Sequence, residues 1–161
     1  KTDLHEGGIR VCGLARWPGH IQPESESDVL GHSTDLLPTI CSAAGVPLPK
    51  DDTFDGTNLL PLLTGKSDRL ERGTVFWQIN LYKKLQRHYP KPKPYATEIA
   101  RKGKWKLLAK DVEPVELFDI ESDLYEKQNL LAEKPEVAGG LKNELQAWLA
   151  APRRQHGNLR D

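Results

Sequence analysis

The side chains best suited to bind an anion cluster in one proline-rich stretch, residues 82–95. It contains five cations interleaved with three tyrosines, namely Lys83, Lys84, Arg87, Lys91 and Lys93 among Tyr82, Tyr89 and Tyr95. Tyrosine rings can stack on sugars while ammonium groups meet sulfate oxygens, so the pattern suits an anionic sugar. Nucleic acid and a simple solvated loop are the alternatives. Lys91 and Lys93 are the candidate substrate contacts.

Two further candidates precede this stretch in the sequence. Trp77 and Gln78 end an apolar, β-branched segment and are placed to reach a bound substrate. Packing in the core is the alternative for Trp77, because large aromatic side chains are mostly buried.

Metal-ligand patterns are weak in this sequence. Four acidic residues are spaced somewhat like a calcium loop: Asp119, Glu121, Asp123 and Glu126. An EF-hand loop requires glycine at its sixth position, which here is Leu124. We therefore predict a capped turn leading to Asn129. The five histidines and two cysteines follow no ligand spacing, and no metal site is predicted in this chain.

Composition limits the possible partners. The chain has 161 residues, and its 23 Lys and Arg balance its 23 Asp and Glu, so the net charge is zero. Neither a nucleic acid nor a membrane partner is indicated. No apolar run is long enough to span a bilayer.

The sequence of the N-terminal half predicts a buried strand and two short helices. The Glu6-Gly7-Gly8 turn leads into apolar residues that end at Trp17-Pro18-Gly19, which predicts a turn entering a buried strand. Glu6 and Arg10 are expected to bond the turn and to pair with each other or with a neighbour. Residues 35–44 predict a helix that is capped by Asp35 and ends at Gly45. Residues 58–63 predict a second short helix with a capping residue at its start and Gly65 at its end.

The C-terminal half predicts a sheet covered by a helix. Strands are expected at residues 74–79, 96–101, 104–109 and 115–120, with Trp105 and Leu107 on one face and Lys104 and Lys106 on the other. Residues 135–150 predict one long helix with an apolar stripe. The fold class is therefore α+β, a four-stranded antiparallel sheet packed against one C-terminal helix. The charged residues after Gly65 mark the predicted boundary between this subdomain, residues 66–161, and the preceding part, residues 1–65.

Several blocks, in this order, resemble the formylglycine-dependent (type I) sulfatases. The first runs K-x4-E-G-G-x-R and continues to W-P-G, here Lys1, Glu6-Gly7-Gly8, Arg10 and Trp17-Pro18-Gly19. Later blocks are Ser33 to Thr39, Asp55-Gly56, Leu59 to Leu63, Gly103 to Leu107 and Glu116 to Asp119. Cys12 stands where the family pattern has proline. The resemblance covers nearly the whole chain.

The resemblance implies that this chain is the C-terminal third of a sulfatase. Residues 1–65 would end its large α/β domain, and Lys1 would point its ammonium at the substrate sulfate. The family's nucleophile lies in C/S-x-P-x-R, which neither cysteine here matches. That nucleophile, as formylglycine, and the ligands of a calcium ion would lie on upstream sequence, so the chain alone should be inactive.

The resemblance also implies partners and a compartment. The partners would be the rest of the catalytic domain and a sulfated small molecule or glycan, in a periplasmic, secreted or lysosomal setting. The alternative is a non-catalytic module in which the basic stretch holds an anionic glycan. The sequence immediately upstream of Lys1 would discriminate between the two.

Overall fold

A computed structural model of the chain describes residues 3–50, 54–79 and 96–151. Lys1, Lys91 and Lys93 therefore lie outside the described residues. The described chain forms two compact units, one at Val11–Gly73 and the other made of the residues before Val11 together with those from Thr74 onward. None of the described helices has the length and apolar content that crossing a membrane would need.

The elements follow the order helices first, strands next and one long helix last. The helices are α1 (Glu6–Ile9), α2 (Leu36–Ala44), α3 (Leu60–Leu63) and α4 (Pro135–Ala150). The strands are β1 (Val75–Gln78), β2 (Glu98–Lys102), β3 (Trp105–Lys110) and β4 (Glu113–Asp119). All neighbouring strands are antiparallel, in the order β1-β2-β3-β4. The α+β class with a four-stranded sheet and one C-terminal helix is confirmed.

Helix α4 covers one face of the sheet. Its Ala138, Leu141 and Leu145 are buried together with sheet residues that include Leu107 and Leu117. Each large apolar side chain buried here contributes about 1.5–3 kcal/mol. This outweighs the cost of about 1 kcal/mol for each glycine of the Gly139-Gly140 pair. The predicted apolar stripe is therefore what holds the helix on the sheet.

The opposite face of the sheet is also buried. Its core consists of Leu4, Ile99, Leu108, Phe118 and Ile120. Lys106 lies on the face opposite Leu107, as the alternation predicted, but its side chain is fully buried there. The N-terminal segment covers this face, and a sequence alternation predicts which side chains share a face but not what covers it.

In the Val11–Gly73 unit, the buried carboxylate of Asp35 organises the loops. It accepts hydrogen bonds from the backbone N–H groups of His32 at 2.7 Å and Thr57 at 2.8 Å, and Arg72 pairs with it at 2.5 Å. Asp35 itself has helical backbone angles and does not cap α2 through its side chain, which corrects the predicted N-cap. Gly56 approaches the Thr34 backbone so closely that a Cβ would clash. Glycine is therefore required on steric grounds at position 56 of the Asp55-Gly56 block.

The predicted strand after Gly8 is absent from the described structure. Residues 6–9 form the short helix α1, and residues 11–16 belong to no strand among the described residues. Val11 and Leu14 are 84% and 95% exposed. An extended segment becomes a strand only when a neighbour satisfies its backbone groups, and the described chain offers residues 11–16 none. The prediction of a buried strand is wrong for this chain.

Candidate functional site: the N-terminal segment on the sheet

The N-terminal segment, residues 3–9, lies on the face of the sheet opposite α4. Leu4 is 1% exposed and packs in the core with Phe118. Helix α1 begins at Glu6, and the N–H of Gly8 donates to the His5 carbonyl at 2.8 Å. A Cβ on Gly8 would clash with the Asp3 carbonyl oxygen, so the second glycine of Glu-Gly-Gly is required by this close approach. The segment is thus held in one compact conformation.

A buried charge cluster joins this segment to the sheet. The ammonium of Lys106 on β3 is 2.9 Å from Glu6 Oε1 and 2.7 Å from Glu126 Oε1. All three side chains are nearly inaccessible, with exposed fractions of 0%, 6% and 4% for Lys106, Glu6 and Glu126. Arg101 on β2 adds a second cation, 3.7 Å from Glu6 Oε2. Two cations therefore balance two carboxylates in this buried cluster.

The cluster also fixes the backbone of the turn. The N–H of Glu6 donates to Glu126 Oε2 at 2.6 Å. One carboxylate thus contacts both the lysine beneath the segment and the first peptide of α1. Charge-assisted hydrogen bonds of this kind are about twice as strong as neutral ones. The expectation that Glu6 pairs with a neighbour holds, and its nearest ionic partner is Lys106 on β3.

His5 makes a second connection to the sheet. Its Nδ1 is 2.6 Å from Asp3 Oδ1 and its Nε2 is 2.9 Å from Glu116 Oε2 on β4. Partial burial of the ring favours the neutral form, but the hydrogen bonds to Asp3 and Glu116 outweigh it. The pKa of His5 is therefore raised above its ordinary value. No sequence pattern indicated this role, because Glu116, 111 positions away, becomes a neighbour of His5 only through folding.

The acidic stretch after β4 forms a turn. Asp119 pairs with Lys104 at 2.7 Å, and this contact lowers the pKa of Asp119. Asp123 accepts from the N–H of Gln128 at 2.8 Å, and Asn129 accepts from the N–H of Leu117 at 3.1 Å. In residues 3–50, 54–79 and 96–151, no three His, Cys, Asp or Glu side chains are grouped as a metal ion would require. The chemistry of a calcium ion is therefore not assigned to these residues.

Trp77 and Gln78 lie on opposite faces of the sheet, because consecutive strand residues alternate. Trp77 packs against the core that contains Leu4, on the face that carries the N-terminal segment. Gln78 is paired in register with Glu98 at the end of β1, on the face that carries α4. The strand therefore brings Trp77, and not Gln78, to the same face as the charge cluster. Their role in substrate binding stays a prediction.

The arrangement can position a side chain that precedes it. Within the described residues, the carboxylates of the N-terminal face are engaged by cations, a histidine or backbone N–H groups rather than held ready for proton transfer. The residue four positions before His5 is Lys1. The charge cluster, together with the contacts of His5 and Leu4, fixes the position of the N-terminal segment on the sheet. Lys1 precedes this segment in the sequence.

Comparisons with known proteins identify the family of this chain. Residues 1–155 match the family described as N-sulphoglucosamine sulphohydrolase, C-terminal. The chain belongs to the sulfatase family and corresponds to its C-terminal region.

Individual relatives are similar over different stretches. A sulfatase of Formosa agariphila is 30% identical over 92% of this chain and 28% of its own length. Human arylsulfatase A is 52% identical over 43% of this chain and 14% of its own length. The structure of BT4656 in complex with D-glucosamine-2-N,6-O-disulfate superposes with a TM-score of 0.60 at 24% identity, over 82% of this chain and 27% of that one. That last likeness shows the fold, and the chain spans less than a third of each of these relatives.

Proposed function

We propose that this chain is the C-terminal region of a sulfatase that hydrolyses sulfate esters, either aryl sulfates or sulfated carbohydrates. The observation that carries the proposal is the family match over residues 1–155, which includes the Lys1 to Gly8 block. In this proposal Lys1 contacts the substrate sulfate. A compact cation close to sulfate oxygens binds the anion and stabilises charge developing on the leaving oxygen.

The remaining machinery would come from sequence outside this chain. A formylglycine nucleophile and a calcium ion are the family's equipment, and the described residues offer no ligand set for the ion. The rest of the catalytic domain is the proposed partner. The exposure of large apolar residues in the Val11–Gly73 unit supports it: Val11, Leu14, Leu36, Leu37, Ile40 and Val46. Such exposure is typical of a surface that another part of a protein covers.

The domain division and the compartment follow from the same proposal. Residues 1–65 would belong to the large domain of the whole enzyme and residues 66–161 to its C-terminal subdomain. The enzyme would work in the periplasm, outside the cell or in the lysosome.

Sulfate release tests the proposed activity. The chain alone should release no sulfate from a chromogenic aryl sulfate or a sulfated oligosaccharide above a buffer blank, because it contains no C/S-x-P-x-R nucleophile. The full-length protein that carries this chain should release sulfate from at least one of the two. Binding of the sulfated oligosaccharide without turnover by the full-length protein would favour the non-catalytic glycan-binding alternative.

Lys91 and Lys93 provide a test of the substrate class. Replacing both with serine should raise KM for a sulfated oligosaccharide by about two- to thirtyfold, since two exposed ion contacts are worth about 0.2–1 kcal/mol each. The salt dependence of KM should become flatter. A small aryl sulfate serves as the control, because it has no second anion to hold. Equal effects on both substrates, or none on either, would assign residues 82–95 to the solvated-loop alternative.

A further inference from the structure

Each ring nitrogen of His5 faces a carboxylate oxygen. A neutral imidazole has one N–H and one acceptor nitrogen, whereas an ionised carboxylate can only accept. The two contacts are 2.6 Å long to Asp3 and 2.9 Å long to Glu116. If the ring were neutral, the lone pair of its unprotonated nitrogen would face a lone pair of a carboxylate oxygen in one of them. Only the imidazolium donates to both. Between two ionised carboxylates, this geometry is therefore satisfied in full by the protonated ring.

The charges around His5 favour this form. Asp3 faces it from its own segment, Glu116 faces it from β4, and Glu126 in the turn after β4 adds a further attraction. The cations of this sheet face, Lys106 and Arg101, are engaged by Glu6 and Glu126. The ring of Phe118 packs against the imidazole with 6.0 Å between centroids.

We propose that the His5 imidazolium is a positioning residue for Lys1, which it serves by tying the N-terminal segment to β4 while it is protonated. The inference rests on the proposed role of Lys1 in sulfate binding. Three residues, Thr2, Asp3 and Leu4, lie between Lys1 and His5, so the segment held by His5 leads to the lysine. The Lys106 cluster holds the segment from Glu6 onward. His5 adds a titratable attachment ahead of it.

The raised pKa sets the direction of the pH effect. A group whose pKa is raised on folding contributes stability that is fully present below its ordinary pKa. The contribution is lost as the pH rises through the raised value. The attachment of the segment should therefore be complete at acidic pH and should weaken on the alkaline side of the histidine range.

The test compares the full-length enzyme with its His5→Gln variant. Their kcat/KM values for one aryl sulfate would be measured from about pH 5 to about pH 9, which brackets the range in which histidine titrates. The ratio of wild type to variant should be about tenfold at the acidic end, the worth of one charge-assisted hydrogen bond. It should approach one at the alkaline end. Glu116→Gln should move the midpoint of this change to lower pH, because it removes a carboxylate that stabilises the charged ring.

The controls separate this inference from the proposed function. His20→Gln, which alters an exposed histidine stacked on Trp17, should give a ratio close to one at every pH. A His5→Gln ratio that is independent of pH would overturn the positioning role, since a purely structural loss has no reason to titrate. Lys1→Ala measured alongside distinguishes the failures. If Lys1→Ala is impaired and the His5 ratio is flat, the His5 inference alone fails, whereas an unimpaired Lys1→Ala overturns both.

Discussion

Lys106→Met is expected to lower the free energy of unfolding by about 3–5 kcal/mol, the range found when one partner of a buried ion pair is removed. The substitution leaves Glu6 with only Arg101, at 3.7 Å, and takes the lysine partner from Glu126. Both carboxylates remain buried without adequate compensation. Equilibrium denaturation followed by tryptophan fluorescence would measure the loss.

The matched control is a lysine that pairs on the surface. Lys142 lies 2.8 Å from Glu113, whose side chain is 72% exposed. Lys142→Met should cost no more than about 1 kcal/mol, because solvent screens exposed pairs. If Lys106→Met and Lys142→Met cost the same, the charge cluster is not what holds the N-terminal segment.

A combined variant separates charge from packing. Lys106→Met and Arg101→Met together with Glu6→Gln and Glu126→Gln remove the whole set of charges rather than one partner. Replacing a complete buried ionic cluster is often neutral, so much of the stability lost in the single variant should return. Failure to recover any of it would mean that the packing of the lysine stem, and not its charge, accounts for the loss.

Local patterns explain why much of the fold could be predicted. The stripe of Leu141 and Leu145 repeats at helical spacing, and Pro135 marks the first turn, so α4 begins and ends where expected. The turn at Gly103 joins two β-rich segments, so β2 and β3 pair as predicted. These elements are determined by residues close to one another in the sequence.

Contacts between residues far apart in the sequence explain why the burial of the second sheet face could not be predicted. Lys106 and Glu6 are 100 positions apart, and their contact joins the N-terminal segment to the second face of the sheet. The apolar side chains of Ile99, Leu108 and Phe118 on that face were the available signal. A lysine among them needs carboxylate partners. Folding likewise brings Glu116 to His5 from 111 positions away.

The prediction of a strand after Gly8 was wrong for a related reason, since a strand also depends on residues distant in the sequence. Its apolar residues resemble those of a core strand, but a strand requires a neighbour that no local pattern supplies. In the candidate site, Glu6 was correctly expected to have an ionic partner, whereas the roles of Lys1, Lys91 and Lys93 remain predictions drawn from the family resemblance and from charge.

Lys1→Ala is also expected to have a large effect, and it tests whether Lys1 contacts the substrate sulfate. If Lys1 contacts the reacting sulfate, its loss should lower kcat/KM of the full-length enzyme by about 10²–10³-fold, the effect of removing one such charge-stabilising contact. The fold should be unaffected, because the charge cluster that holds the segment begins at Glu6. Lys66→Ala, at an exposed lysine, is the matched control and should leave kcat/KM unchanged.

The most direct measurement is therefore the kcat/KM of full-length wild type, Lys1→Ala and Lys66→Ala on one chromogenic aryl sulfate, at equal formylglycine content and with matching melting temperatures. If Lys1 contacts the sulfate, Lys1→Ala alone should lower kcat/KM by about 10²–10³-fold. Equal kcat/KM values for all three proteins would show that Lys1 does not contact the reacting sulfate.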